Sequence, residues 1–172
     1  MLTSQDLIRH FGLQPLPEEG GLYTRTYLST ETIPAGHLPP RYVGSHPFGS
    51  AILYLLTAEP DSFSALHQLP TDEVYHFYLG DPVELLQLHP DGQSRVVMLG
   101  QDVLNGQYIQ HVVPAGIWQG SRLKPGGRWA LLGTTMAPGY ADQDYLPGDR
   151  RALLAAFPQQ EALIKALTRL PA

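Results

Sequence analysis

Two segments of the chain carry the residue types and spacings that could perform chemistry. The first contains His67 and Glu73, and the second contains Gln119 just after the turn Pro114-Ala-Gly116. A histidine beside a carboxylate in an apolar pocket is suited to general-base catalysis, because the carboxylate orients the imidazole and stabilises its cation. We therefore predict His67 and Glu73 as catalytic residues and Gln119 as a ligand contact.

Strand alternation explains how these side chains could meet. Side chains two positions apart share one face of a strand, so Glu73, Tyr75 and Phe77 should point one way and His76 the other. A hairpin of this kind would place His67 beside Glu73 inside a barrel. The predicted ligand-binding residues are Gln119, Tyr75, Tyr54, Phe77 and Ser64. The candidates for a tyrosine acid are Tyr54, Tyr75 and Tyr78.

The other histidines and one tyrosine-rich strand have weaker functional claims. The histidines predicted to lie in loops or on the surface are His10, His37, His46 and His89. Tyr23, Arg25 and Tyr27 share a strand face by alternation and are predicted to form a cross-strand surface. Arg25, between two tyrosines, could also bind an anionic ligand. His111 lies on a separate strand, and its facing does not follow from the pattern.

The elements that must position these residues are mostly short strands. Glycine and proline are scattered between apolar runs, which predicts many strands joined by tight turns. The predicted strands are 22–29, 50–57, 63–69, 73–79, 83–89, 95–99, 108–113, 117–123 and 128–136. Asp91-Gly92 and Asn105-Gly106 are typical turn sequences. This pattern predicts a β-barrel or sandwich.

Helices are predicted at both ends of the chain. Thr3 and Asp6 can form a capping box, and Gly12 can end the first helix. Asp149 can cap a second helix, and Pro158 suits the first turn of a third. We predict one domain over 1–172, with a barrel core at about 21–136 and helical flanks at 3–12 and 149–170.

Composition narrows the classes of function. A chain of 172 residues with 43% hydrophobic and 16% charged residues is typical of one globular domain. The formal net charge of −5 gives no basic surface for nucleic acid. With no cysteine, the chain has no disulfides and no thiolate metal sites. No apolar run approaches the roughly 20 residues that span a bilayer, and the first residues lack a secretion signal, so we expect no membrane partner and a cytoplasmic location.

The two chemical segments resemble the signature motifs of the cupin superfamily. In the first motif Glu73 and Gly80 have the expected spacing, and His67 stands at the first histidine position. In the second motif Pro114-Ala-Gly116 matches, and Gln119 occupies the histidine position.

Longer stretches extend this resemblance over almost the whole chain. The sequences LYTRTYLS, DEVYHFYLGDPVELL, VVPAGIWQGS and APGYADQDYLPGDRRALL are similar to one family of small, functionally uncharacterised cupins. The resemblance implies a mostly β, cupin-type double-stranded β-helix, or jelly-roll barrel, with an N-terminal helix and C-terminal helices. It also implies a homodimer.

The departures from the cupin pattern bear on metal binding. Cupin metal sites combine three histidines with a glutamate, but Leu69 and Gln119 replace two of those histidines here. Zinc or iron(II) normally requires at least three good protein ligands. We therefore expect no cofactor. A divalent metal held by His67, Glu73 and Gln119 is kept as an alternative.

Three functions follow from the resemblance. The first is a small-molecule-binding cupin that acts as a metal-independent isomerase or epimerase on a sugar-like or carbonyl-bearing ligand, as the sugar-nucleotide epimerases of this class suggest. In it His67 is the base, Glu73 orients it, and Gln119 bonds to the substrate. The second is a metal-dependent cupin, such as a dioxygenase or metal isomerase. The third is a non-catalytic binding or storage-like barrel.

Overall fold

The computed structural model describes residues 2–169, and most of this chain is built from β-strands. In chain order the strands are β1 (Gln14–Pro15), β2 (Leu22–Leu28), β3 (Thr32–Ile33), β4 (His46–Pro47), β5 (Ser50–Thr57), β6 (Ser64–Gln68), β7 (Glu73–Gly80), β8 (Val83–Leu88), β9 (Ser94–Leu99), β10 (Gln110–Val113), β11 (Trp118–Leu123), β12 (Trp129–Met136) and β13 (Leu146–Pro147). The nine strands predicted from the sequence are all present, with ends shifted by one or two residues.

Three α-helices flank these strands in the described part of the chain. They are α1 (Ser4–Phe11), α2 (Arg150–Ala156) and α3 (Glu161–Ala166). Single 3₁₀ turns form at Ala35–His37, Val103–Asn105, Asp142–Asp144 and Pro158–Gln160. The predicted C-terminal flank extended to Leu170, which lies outside the described residues. No helix within residues 2–169 is long and apolar enough to cross a membrane.

The long strands form two facing antiparallel sheets. One sheet has the order β1-β2-β5-β12-β7-β10, and the other has the order β13-β6-β11-β8-β9. Alternate side chains of both sheets meet in one apolar core, to which Leu56 and Phe77 contribute from the first sheet and Leu85 and Leu99 from the second. Burying two inner faces against each other is the stabilising arrangement of a jelly roll, so the predicted fold class is confirmed.

The terminal helices close the outside of this sandwich. The capping box at Thr3 and Asp6 is formed, and Gly12 ends α1 in the left-handed conformation (φ 63°) that glycine adopts without strain. Leu7 of α1 packs on the outer side of the first sheet against Leu55. Helices α2 and α3 cover the second sheet with a separate apolar cluster made of Leu66, Leu86, Leu88, Leu153, Phe157, Ile164 and Leu167.

Two expectations about individual residues were wrong. His46, expected in a loop or on the surface, lies in β4 and has no exposed surface. The strand face predicted for Tyr23, Arg25 and Tyr27 is interrupted, because the pairing of β2 with β5 shifts register between Arg25 and Tyr27. A bulge of this kind breaks the two-residue alternation on which the prediction depended. Tyr23 and Arg25 consequently face a cavity, whereas Tyr27 is 53% exposed.

Candidate functional site

A cavity of about 490 Å³ opens between the N-terminal strands, the centre of the first sheet and the segment that follows β12. Its apolar wall comes from Leu16, Ala51, Ile52, Leu69 and Met136. Three tyrosines also line it, namely Tyr23, Tyr140 and Tyr145. Its charged side chains are Glu18, Glu19, Arg25, Glu73 and Asp142. A concave apolar space of this size with a few polar groups is typical of a small-molecule site.

Glu73 supplies the buried polar group of this cavity. It is the first residue of β7, and only 7% of its surface is exposed. Burial raises the pKa of its carboxyl group above the ordinary value, and the negative charge of Glu19 adds to the rise. His67, Thr134 and the amide of Gln119 oppose that rise without cancelling it. A carboxyl group held in this way can both accept and donate a proton closer to neutral pH.

Gln119 holds the Glu73 carboxyl group in place. Its amide nitrogen donates a hydrogen bond of 2.7 Å to Glu73 Oε2. Gln119 lies on β11, directly opposite His67 of β6 in the strand pairing. Its amide oxygen, Oε1, is buried and has no hydrogen-bond partner among residues 2–169. An unpaired buried acceptor is unfavourable, so this oxygen is a place where a donor would be stabilised.

His67 lies directly behind the cavity wall. It is 1% exposed, and its Nδ1 is 2.8 Å from the carbonyl oxygen of Ala65. Because a carbonyl only accepts, Nδ1 carries a proton and donates it. The ring stacks on Tyr145 with a centroid separation of 5.1 Å, and it is Tyr145 rather than His67 that lines the cavity. His67, Glu73 and Gln119 are therefore brought together, with Glu73 as the member that faces the cavity.

The other predicted ligand contacts are buried next to the cavity but do not line it. Tyr54 donates its hydroxyl to the carbonyl of Gly20 at 2.8 Å. Ser64 donates its hydroxyl to Glu19 Oε1 at 2.7 Å, which fixes a carboxylate that does line the cavity. Tyr75 and Phe77 belong to the apolar core. Their roles as ligand contacts stay predictions.

Two further residues weighed from the sequence lie away from the cavity. Tyr78, one of the candidate acids, alternates with the inward residues of β7 and is 43% exposed. Its ring stacks on His76 with a centroid separation of 6.3 Å. His76 in turn contacts the Thr135 hydroxyl at 3.1 Å. Both therefore belong to the outer surface of the first sheet.

Sequence reasoning missed the loops that complete the cavity. Glu18 adopts a left-handed backbone conformation (φ 61°) in the turn before β2, and that turn presents Glu18 and Glu19 to the cavity. The guanidinium of Arg169 donates to the backbone carbonyls of both residues at 2.9 and 3.0 Å. The proline and paired glycines around this turn were a usable signal for it, although they do not indicate which way its side chains point.

A buried pair, His46 and Asp144, anchors the opposite wall. His46 Nε2 lies 2.9 Å from each carboxylate oxygen of Asp144, and His46 Nδ1 lies 3.2 Å from the carbonyl of Gly44. Both ring nitrogens thus face oxygen acceptors. Asp144 sits between two cavity residues, Asp142 and Tyr145, so the pair fastens that segment to β4. No sequence pattern links positions this far apart in the chain.

The donor set does not fit a cupin metal centre. Within residues 2–169 there is no group of three or more histidine, cysteine, aspartate or glutamate side chains that could hold a metal ion. His67 and Glu73 are the two good ligands, and Gln119 turns its amide NH₂ group toward Glu73. Leu69 lines the cavity with a hydrocarbon side chain at the position of a second histidine. First-row metals prefer imidazole, carboxylate and thiolate to a lone amide oxygen.

Comparisons with known proteins identify the family of this chain. The family described as Cupin superfamily (DUF985) matches residues 5–146. The uncharacterized protein YML079W of Saccharomyces cerevisiae is 28% identical over 116 residues, covering 64% of this chain and 57% of that protein. The chain thus spans little more than half the length of this curated relative.

Solved structures extend the likeness to the whole fold. Protein SO0799 from Shewanella oneidensis superposes with a TM-score of 0.85 at 28% identity, covering 99% of this chain and 100% of that one. A hypothetical protein from Leishmania major gives a TM-score of 0.85 at 26% identity, covering 98% and 100% of the two chains.

Proposed function

This chain belongs to the Cupin superfamily (DUF985) family, and we propose that it binds a small molecule in the cavity and transfers protons on it without a metal, as an isomerase or epimerase does. The observation that carries the proposal is the position of Glu73, a buried carboxyl group with a raised pKa on the wall of an otherwise largely apolar cavity. Carboxyl groups tuned upward in this way serve as general acids and bases. The ligand class is a sugar-like or carbonyl-bearing compound.

We propose a division of work among three residues that reverses the roles expected from the sequence, with Glu73 rather than His67 as the base, because Glu73 lines the cavity and His67 does not. Glu73 removes the proton from a carbon next to the ligand's carbonyl group, and the electron pair of that C–H bond moves toward the carbonyl oxygen to give an enolate. Gln119 keeps the carboxyl oriented through its hydrogen bond to Oε2. His67 lies one layer behind, and its attraction for the carboxylate favours the charged form of Glu73. Delivery of a solvent proton to the opposite face of the enolate completes an epimerisation. Return of the Glu73 proton to the neighbouring carbon, as the enolate oxygen gains a proton and the hydroxyl on that carbon loses one, completes an isomerisation.

Solvent-deuterium exchange tests this proposal even while the substrate is unidentified. A panel of sugars, amino sugars and oxo acids is incubated with the protein in D₂O, and loss of C–H signals is followed by NMR. We expect Glu73→Gln to lower the exchange rate by about a hundredfold or more, because the glutamine amide cannot take the proton. Glu161→Gln, which removes a carboxylate from exposed helix α3, is the matched control and should exchange like wild type.

The outcomes separate the competing functions. Exchange that persists in Glu73→Gln would refute proton transfer at this carboxyl group. Binding of a compound without exchange would assign the protein to the non-catalytic alternative. The metal-dependent alternative, with His67, Glu73 and Gln119 as ligands, predicts activity that disappears with a chelator and returns with the metal.

We also propose that the protein is a cytoplasmic homodimer. Strands β9 and β10 are edge strands of the two sheets, and an isolated bridge pairs Leu99 of β9 with Tyr108, two residues before β10. Large apolar side chains are exposed there, including Val96 at 41%, Ile109 at 55% and Val112 at 45%. Exposed apolar edges of this kind are typical of subunit interfaces. Light scattering coupled to gel filtration should give twice the mass of the 19.0 kDa chain.

A further inference from the structure

The charged groups around the cavity have one predominant sign. Four carboxylic side chains line it, from Glu18, Glu19, Glu73 and Asp142, against a single guanidinium, that of Arg25. Arg25 is exposed, whereas Glu73 is buried, so the positive group lies at the rim and a negative group lies at depth. An anion that entered the cavity would move away from the guanidinium of Arg25 and toward the carboxyl group of Glu73, which is electrostatically unfavourable.

Glu73 makes no salt bridge within residues 2–169, and the hydrogen bond it receives from Gln119 is neutral. His67 attracts its carboxylate, but this attraction is smaller than the effect of burial, and the Nδ1–H of His67 points to the carbonyl of Ala65. A buried carboxylate whose charge is incompletely compensated is costly. The cavity is the side from which a positively charged group can reach it.

The negative potential extends across the cavity. Burial raises the pKa of Tyr140 to about 12, and the carboxylates of Asp142 and Glu19 add to that rise. Burial raises the pKa of Tyr145 in the same direction, with Glu19 again adding to it. The positive charge of Arg169, which does not line the cavity, opposes this effect at Tyr145 without cancelling it.

The aromatic lining favours the same kind of ligand. Tyr23, Tyr140 and Tyr145 line the cavity, and the faces of aromatic rings attract cations. From the four carboxylic groups, the incompletely compensated charge of the buried Glu73 and these rings, we infer that the ligand is a small organic compound bearing a protonated amino group, and not a phosphate ester or a nucleoside-diphosphate sugar. This inference rests on the proposed function, because it names the class of molecule that the cavity would bind.

A matched pair of nitroxide probes tests the sign of the cavity directly. The cationic 3-aminomethyl-PROXYL and the anionic 3-carboxy-PROXYL have nearly the same size and shape and differ in charge. Each is added to methyl-labelled protein, and the relaxation enhancement is measured at Ala51, Ile52 and Met136 in the cavity and at the 95% exposed Leu104 as a remote reference. We expect the ratio of cation to anion enhancement in the cavity to exceed that at Leu104 by about tenfold at low salt.

Two charge-matched variants locate the effect. Glu19→Gln removes a cavity carboxylate and should lower the cavity ratio severalfold, whereas Glu161→Gln removes an exposed carboxylate on α3 and should leave it unchanged. An anionic probe that relaxes the cavity methyl groups as strongly as the cationic probe overturns the inference and leaves the proposed binding function standing. If neither probe relaxes these methyl groups, the cavity is closed to small molecules, and both the inference and the proposed function fail. A ratio that responds equally to both variants also overturns the inference.

Discussion

Replacing Asp144 by asparagine should destabilise the protein strongly, because Asp144 and His46 form a hydrogen-bonded pair in which both side chains are buried. The side chain of His46 has no exposed surface and that of Asp144 has 2%. Leaving one partner of a buried, hydrogen-bonded pair unsatisfied typically costs about 1–3 kcal/mol. Because both carboxylate oxygens of Asp144 contact His46 Nε2, we expect the upper end of this range, about 3 kcal/mol. For a chain of this length that corresponds to a drop in Tm of roughly 6–12 °C.

The assay is equilibrium unfolding in urea followed by far-UV circular dichroism, with thermal unfolding as a second measure. Asp142→Asn is the matched control, because Asp142 lies two positions earlier, is exposed and makes no salt bridge within residues 2–169. A surface change of this kind should stay within about 0.5 kcal/mol of wild type. His46→Gln, alone and combined with Asp144→Asn, completes a double-mutant cycle.

The double-mutant cycle also tests whether His46 and Asp144 stabilise the fold as a pair. If the two residues stabilise the fold as a pair, the double variant should be less destabilised than the sum of the single variants by about 1.5 kcal/mol or more. An Asp144→Asn variant no less stable than Asp142→Asn, or two single variants whose effects simply add, would show that the pair does not anchor the segment that follows β12.

Three further predictions concern the cavity and the sheet beneath it. Because burial raises the pKa of Glu73 above 4.5, the folded state favours the neutral carboxyl group, and wild type should lose stability relative to Glu73→Gln as pH rises from 4.5 through the raised pKa. Urea unfolding midpoints of the two proteins from pH 4 to 8 test this, and a wild-type midpoint that rises relative to Glu73→Gln contradicts it. Leu69→His combined with Gln119→His should create a three-histidine, one-glutamate site that retains nickel or zinc near one ion per chain by mass spectrometry, whereas wild type should stay far below one. Gly133→Ala should lower the free energy of unfolding by about 1–3 kcal/mol, measured by thermal unfolding, because its Cβ would lie 2.7 Å from the Tyr78 ring and 2.9 Å from the carbonyl oxygen of Ile52. Adding Tyr78→Ala should relieve only part of that cost, and full relief would contradict a clash with the Ile52 carbonyl.

The strands were predictable from the sequence because their patterns are local. The run Ser50–Thr57 is nearly all apolar and is paired on both sides, between β2 and β12. The approach of Glu73 to His67 was expected from alternation, and that of Gln119 from its position just after the turn Pro114-Ala-Gly116. By contrast, Thr32–Ile33, His46–Pro47 and Leu146–Pro147 are two-residue strands. A two-residue strand is too short to show side-chain alternation, so whether it forms depends on its pairing partner elsewhere in the chain.

The cavity was less predictable than the residues beneath it. Its walls include Glu19 and Tyr145, which lie on loops whose conformations are fixed by contacts from remote positions. Arg169 holds the turn that carries Glu19, and His46 holds the segment that carries Tyr145 through Asp144. Local sequence gives the composition of such loops but not where their side chains point. The family resemblance does include the stretch around Tyr145, although it assigns that tyrosine no position in the cavity.

The contact between Arg169 and the Glu18 carbonyl joins positions 151 residues apart in the chain. A chain emerging during synthesis can pair every long strand through Met136 before the segment carrying Tyr145 and then Arg169 have been made. The cavity is therefore complete only after the last part of the described chain has been made. Since a ligand stabilises only a state that can bind it, a ligand of this cavity could not protect a chain cut short after β12, which lacks Tyr140, Asp142 and Tyr145 of the cavity wall.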